Sequence, residues 1–290
     1  MSNRFNKIFL NTTQKTKLVA YFVACYPSYE KSLEIIKKAI DSGISICELG
    51  FPTQEASGEG PIIKKAHDHC LEKNITLKDT LKLAKEVRNY NKNVGIILMG
   101  YMSNVFKYPI DKFVKELAEV DADGCLIVDA PHELKEENQL RNALTEKNLS
   151  LIKLVAPTTT NERLKIISKF FSGWVYSLNF SGVSGSKSAD LKQVEQMIKK
   201  IRNLTKLPIC SGFGIKTPEE AKEVASSGCD GVVVGSSIVE YIEKNANDKN
   251  LTQNVGKLIK SFILELNKQW TGFKKNYKVL LKKQKILLKD

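Results

Sequence analysis

A strand-then-helix alternation, repeated eight times, runs through the chain and limits the folds open to it. Short aliphatic and β-branched runs occupy residues 19–23, 44–48, 94–98, 124–128, 151–155, 174–177, 207–211 and 230–234. Most are nearly continuous rather than alternating, as expected of parallel strands buried on both faces. Stretches with helical periodicity fill the gaps, for example residues 29–42, 77–90, 134–147 and 218–227. This pattern predicts an α/β fold, a closed (βα)8 TIM barrel forming a single domain. A doubly wound open sheet is the alternative, but it usually has fewer strands and no pressure toward eight. The 290 residues also suit a barrel, which takes roughly 250 as one domain.

Helix signals fix the alternation in place. Thr217-Pro218-Glu219-Glu220 combines an N-cap, a first-position proline and first-turn acids. Asp79 is expected to cap a helix in the same way. Residues 3–10 read as a short helix closing the bottom of the barrel, and residues 253–269 as a last amphipathic helix with Trp270 as a packing anchor. A compositional break near Thr271–Gly272 divides the barrel, expected over residues 1–270, from a basic tail over 271–290.

Composition excludes several classes. No run approaches the roughly 20 apolar residues of a membrane span, and the start of the chain lacks the apolar core of a signal peptide. A cytoplasmic location follows as the expectation. The six cysteines form no CxxC pair and several lie within apolar runs, so they are expected to be buried and reduced. The net charge of +13 raises the question of nucleic acid. However, seven lysines and one aspartate of that balance lie in the last twenty residues. Elsewhere lysine alternates with acids on helix faces, which reads as solvated surface. The tail is expected to be a solvated terminus, with a basic amphipathic helix as the alternative.

In a barrel, ligands bind at the loops that follow the strands. Three of these loops pair glycine with small hydroxyl residues: Ser181-Gly182-Val183-Ser184-Gly185, Ser211-Gly212-Phe213-Gly214 and Gly235-Ser236-Ser237. Glycine allows close backbone approach to an anion, and the last loop runs straight into a helix whose first amides and dipole favour negative charge. Ser236 is placed as that helix's N-cap. Together the loops predict a phosphate site.

The second strand carries Glu48 between apolar neighbours. By alternation Glu48 shares a face with Ile46, while Cys47 takes the other. A buried carboxylate is either paired or functional, and burial raises its pKa toward the range useful for acid–base work.

The run Glu48-Leu49-Gly50-Phe51-Pro52, followed by an acid, Gly60 and Pro61, resembles the signature of the tryptophan synthase α-subunit family. Leu154-Val155-Ala156-Pro157-Thr158-Thr159, Gly182-Val183-Ser184-Gly185, Gly212-Phe213-Gly214-Ile215 and Val234-Gly235-Ser236 follow in the family's order. The resemblance covers roughly residues 15–268 and leaves out the tail. It implies retro-aldol cleavage of indole-3-glycerol phosphate to indole and glyceraldehyde 3-phosphate, with no cofactor or metal in this chain. It implies that Glu48 is the general acid/base, that Glu59 binds the indole N–H, and that Tyr176 lies beside the glycerol chain. Gly185, Gly214, Gly235 and Ser236 match the phosphate cradle, and Tyr21, Tyr101, Leu126 and Asp129 match the lining of the indole end. The implied partner is a pyridoxal-phosphate β subunit in an α2β2 assembly, with no nucleic acid or membrane.

Several positions depart from the family's pattern. Glu59 stands where aspartate is usual, and Tyr21 where phenylalanine is usual. Thr53-Gln54-Glu55-Ala56 replaces a common Phe-Ser-Asp-Pro in the partner-facing loop. Tyr101-Met102-Ser103-Asn104 replaces Tyr-Tyr-Asn-Pro, and Cys25-Tyr26 replaces Gly-Asp. These changes leave two alternatives: a weakly active α-like subunit that regulates a β-type partner, or a stand-alone lyase. His67 and His69 are expected on the surface of a helix, pointing about 200° apart and so unable to share a metal. His132 is expected to be a plain loop residue near the rim.

Overall fold

Eight parallel strands pair in chain order and close on themselves, β1 pairing with both β2 and β8. They are β1 (Lys17–Val23), β2 (Ile46–Gly50), β3 (Gly95–Gly100), β4 (Gly124–Ile127), β5 (Ser150–Val155), β6 (Val175–Leu178), β7 (Ile209–Gly212) and β8 (Gly231–Val234). The sheet therefore has no edge, which excludes the doubly wound alternative. This architecture comes from a computed structural model that describes residues 3–11, 14–56, 58–179, 187–212 and 214–268. The basic tail, Trp270 and the glycine loop of residues 180–186 lie outside the described residues.

The helices are α1 (Asn3–Leu10), α2 (Tyr29–Asp41), α3 (Pro61–Glu72), α4 (Leu77–Tyr90), α5 (Met102–Phe106), α6 (Ile110–Glu119), α7 (Lys135–Glu146), α8 (Asn161–Ile167), α9 (Lys187–Arg202), α10 (Pro218–Ser226) and α11 (Ser236–Lys244). A last helix, α12, spans residues 251–268. It buries Leu251, Val255, Ile259, Phe262 and Leu266, a stripe at helical spacing that docks it on the barrel.

The strands have two buried faces, which explains their continuous apolar runs. Val19, Ile46, Ile97, Leu126 and Ile152 point inward into one core, while Ala20, Cys47, Ile96, Cys125 and Leu151 face the helices. Phe5 of α1 is fully buried in the inner core, so the N-terminal helix plugs the bottom as expected. All six cysteines are buried and free.

Local chemistry sets the ends of these elements. The Thr217 hydroxyl accepts from the backbone N–H of Glu220 at 3.2 Å and starts α10. At α4 the expected cap is corrected. Thr76 holds the N-cap position, with an extended backbone (φ −122°, ψ 173°), and Asp79 sits three residues into the capping motif. The Asp79 carboxylate accepts from the Thr76 backbone N–H at 2.8 Å and from the Thr76 hydroxyl at 2.7 Å. The second strand also lies two residues later than its apolar run suggested, so Glu48 is central in β2 rather than last. Leu49 and Gly50 continue the pairing, opposite Leu98 and Met99.

A buried polar knot ties the lower end together. The Asp123 carboxylate, one residue before β4, accepts from Arg88 Nη2 of α4 at 3.0 Å and Arg4 Nη1 of α1 at 2.6 Å. It also accepts from the backbone N–H of Ile96 on β3 at 2.9 Å. Arg88 and Asp123 are almost wholly inaccessible, so these bonds replace the water both charges have lost.

Candidate active site

A cavity of about 180 Å³ opens at the C-terminal ends of the strands. Its walls are mainly apolar, built by Ile63, Met99, Val128, Leu154, Leu178 and Ile215. Its polar groups are the side chains of Glu48, Glu59, Tyr21, Tyr101 and Tyr176 together with Gly214, Gly235 and Ser236. Few polar groups converging on an apolar pocket fit a site for a small, partly aromatic ligand.

Glu48 reaches the cavity because β2 alternates, as the sequence predicted: Ile46 joins the inner core and Cys47 the helix-facing one. Its side chain is 1% exposed, and Oε1 has no hydrogen-bond partner among the described residues. Burial, reinforced by the nearby Glu59 charge, pushes the Glu48 carboxyl up to about 8. Near neutral pH Glu48 is thus a neutral acid holding a proton. Tyr176 on β6 faces the same space, and burial raises its phenol well above the usual range, so it remains a proton donor.

Glu59 comes from the loop between β2 and α3. That loop folds inward: Thr53 and Ala56 are buried, and the Gly58 backbone N–H donates to the Tyr101 hydroxyl at 3.2 Å. Tyr101 therefore lines the cavity and also anchors the loop that carries Glu59. The Tyr21 hydroxyl lies 3.4 Å from Glu59 Oε1. Gly50 makes room for it, because a Cβ there would sit 2.2 Å from that hydroxyl.

His67 corrects an expectation. It is 1% exposed, not a surface residue, and its Nε2 lies 3.2 Å from the Tyr21 hydroxyl and 3.6 Å from Glu59 Oε1. The physical reason is the face of α3, which buries Ile63, Ala66, His67 and Cys70. That i, i+3, i+4, i+7 stripe was present in the sequence and was the signal for a buried histidine. His69, on another face, lies with Nε2 3.0 Å from the Pro27 carbonyl.

On the same cavity α11 begins directly after β8, and its first backbone N–H groups have no intrahelical acceptors. Gly235, not Ser236, is the N-cap, so Ser236 is the first helical residue. The cause is the sharp turn at Gly235 (φ −126°, ψ −70°), where a Cβ would lie 3.2 Å from Tyr21. The Ser237 hydroxyl is buried with no partner among the described residues. Gly214, with φ +71°, lines the same cavity in a left-handed backbone that favours glycine.

Two expected site residues, Leu126 and Asp129, do not line the cavity. Leu126 is fully buried in the inner core, and Val128, two residues along the same face, lines the cavity instead. Asp129 is exposed on the rim, where its Oδ1 accepts from the Met102 backbone N–H at 2.6 Å and steadies the start of α5. Gly185 lies outside the described residues. His132 stands in the neighbouring rim cleft, stacked on Phe170 with its Nδ1 3.1 Å from Glu133.

Comparison with known proteins agrees with this geometry. The family model described as "Tryptophan synthase alpha chain" matches residues 9–266. The tryptophan synthase alpha chain of Desulfatibacillum aliphaticivorans is 36% identical over 242 residues, 83% of this chain and 90% of that protein. That of Ruthia magnifica is 35% identical over 256 residues, 88% of this chain and 96% of that protein. The crystal structure of tryptophan synthase subunit alpha from Legionella pneumophila superposes with a TM-score of 0.83 at 30% identity, covering 92% of this chain and all of that one. This chain belongs to the tryptophan synthase alpha chain family.

Proposed function

We propose that the chain cleaves indole-3-glycerol phosphate to indole and glyceraldehyde 3-phosphate by a retro-aldol reaction. The observation that carries this is a buried, proton-holding Glu48 sharing one apolar cavity with a second carboxylate, Glu59, and the N-terminus of α11. The phosphate sits against Gly214, Gly235 and Ser236, where backbone N–H groups and the α11 dipole favour an anion. That fixes the indole ring between the two carboxylates.

Glu48 gives its proton to indole C3. The Glu59 carboxylate accepts the ring N–H and stabilises the positive charge that appears on the ring nitrogen. The Glu48 carboxylate then takes the proton of the side-chain hydroxyl as the bond to C3 breaks, and its electron pair restores the indole. Indole and the aldehyde leave, and Glu48 regains its starting state. Tyr176, held neutral, donates to oxygen on the glycerol chain.

This chemistry calls for no cofactor in this chain. The partner is a β subunit that carries pyridoxal phosphate and condenses the indole, in an α2β2 assembly; a cytoplasmic location belongs to the same reading. Glu48→Gln keeps the shape and loses the acid, so cleavage is expected to fall by at least about 10²-fold while a non-cleavable indolyl-alkyl phosphate still binds. Retained turnover in that variant overturns the role of Glu48. Indole release should rise when a β subunit is added; rapid release without one indicates a stand-alone lyase.

A further inference from the structure

Tyr21, Glu59 and His67 form a closed triangle of buried polar atoms. Tyr21 comes from β1, Glu59 from the β2–α3 loop and His67 from α3. Their contacts are 3.2, 3.4 and 3.6 Å, and each side chain is nearly inaccessible. We propose that His67 and Tyr21 are positioning residues: a directional relay, His67 Nε2–H to Tyr21 oxygen and Tyr21 O–H to Glu59 Oε1, that aims the Glu59 carboxylate at the ligand's ring N–H. This rests on the reading of Glu59 as the acceptor for that N–H.

The proton count selects the direction. Tyr21 has one hydroxyl proton to give, and burial with the Glu59 charge keeps its phenol protonated. If that proton goes to Glu59, the tyrosine oxygen is free to accept from His67 Nε2–H. The relay then calls for the tautomer with its proton on Nε2, whose Nδ1 carries only a lone pair. Nδ1 is buried and without a partner among the described residues, which suits an unprotonated nitrogen. The reverse direction puts a buried N–H on Nδ1 with no acceptor and takes the hydroxyl proton away from Glu59.

The relay also explains how a glutamate is held here. Glutamate has one more rotor than aspartate, so its carboxylate sweeps a wider arc unless something fixes it. Tyr21 occupies one oxygen, Oε1, and Oε2 takes no hydrogen bond from the described residues, which leaves it to the ligand. Because His67 stands on a helix and Tyr21 on a strand, a loop residue is indexed to rigid elements, and chained hydrogen bonds polarise one another.

The test combines tautomer and kinetics. Nitrogen-15 imidazole shifts of the resting full-length protein should show His67 protonated on Nε2; an Nδ1–H tautomer overturns the relay, whatever the activity. In turnover of indole-3-glycerol phosphate, Tyr21→Phe and His67→Asn should each lower kcat by roughly ten- to a hundredfold through misplacement of Glu59, with KM little changed. His67→Gln keeps a donor near Nε2 and should recover most of kcat, which a purely packing role does not predict. In a Glu59→Gln background, where no carboxylate remains to aim, both substitutions should cost less than about threefold. Equal losses in both backgrounds, or equal behaviour of His67→Asn and His67→Gln, overturn the relay. Tyr21→Phe is nearly isosteric and stays informative if His67→Asn fails to fold. Full activity in Glu59→Gln alone removes the role of Glu59, and the relay with it. An impaired Glu59→Gln with silent Tyr21 and His67 variants removes the relay alone.

Discussion

At the scale of single residues, the two carboxylates differ because their surroundings differ. Glu48 is on a strand, sealed by the barrel wall, and keeps its proton to about pH 8. Glu59 is on a loop, beside hydroxyl and imidazole groups. The raised Glu48 carboxyl suits the role of proton donor. A raised carboxyl pKa has a definite sign in folding. Between an unfolded value of about 4.3 and the folded value, the native state holds a proton that the unfolded state has lost. Stability contributed at Glu48 therefore falls as pH rises from about 4.3 to about 8. Relative to wild type, Glu48→Gln should gain in thermal midpoint at pH 9 and show little difference at pH 4. In the wild-type enzyme kcat/KM should decline above about pH 8, when free enzyme loses the proton on Glu48. Rates that stay flat to pH 10 would contradict that assignment.

At the scale of elements, each strand-to-helix junction does one job. The β8–α11 junction presents helix amides to the cavity, with Gly235 making the turn and Ser236 opening the helix. This separates stability from binding at one position. Ser236→Asp places a negative charge in the first turn, which should leave the helix equally stable or stabilise it by about 0.3–1 kcal/mol. The same charge faces the ligand's phosphate, so KM should rise at least about tenfold by like-charge repulsion. Thermal unfolding and initial-rate kinetics on the same sample read both effects. An unchanged KM would move the phosphate away from α11. The β2–α3 loop does a different job: Tyr101 holds its Gly58 amide, and Gly50 clears space for Tyr21 beneath it.

For the whole molecule, the two ends of the barrel carry different duties. The upper rim gathers the cavity, and the lower end holds the Arg4–Asp123–Arg88 knot that joins α1, α4, β3 and β4. Asp123→Ala strips Arg88 of its buried carboxylate. Loss of one partner of such a pair costs about 3–5 kcal/mol, read as a lowered denaturation midpoint in urea. Because the knot lies at the opposite end from the cavity, kcat at a temperature where the variant is folded should stay close to wild type. A large kcat loss with unchanged stability would show that the lower end shapes the site.

The sequence by itself determined the fold class, because periodicity is local: apolar runs separated by amphipathic stretches report strands and helices wherever the chain goes. Eight such units, closed by glycine loops, left few alternatives to a barrel. It also placed Glu48 on one face with Ile46 and opposite Cys47, since alternation along one strand needs no knowledge of its neighbours; that this face is the inner one came from the closed barrel. What lies next to what across the barrel was decided only by the tertiary structure. His67 is 46 residues from Tyr21 in the chain and in contact with it in space. The sequence showed the buried stripe of α3 but not which strand that stripe would meet. Depth behaved the same way. Leu126 and Val128 share a face, yet the first is sunk in the inner core and the second lines the cavity. Strand stagger is a property of the closed sheet, summed over all its pairings, and no single segment encodes it.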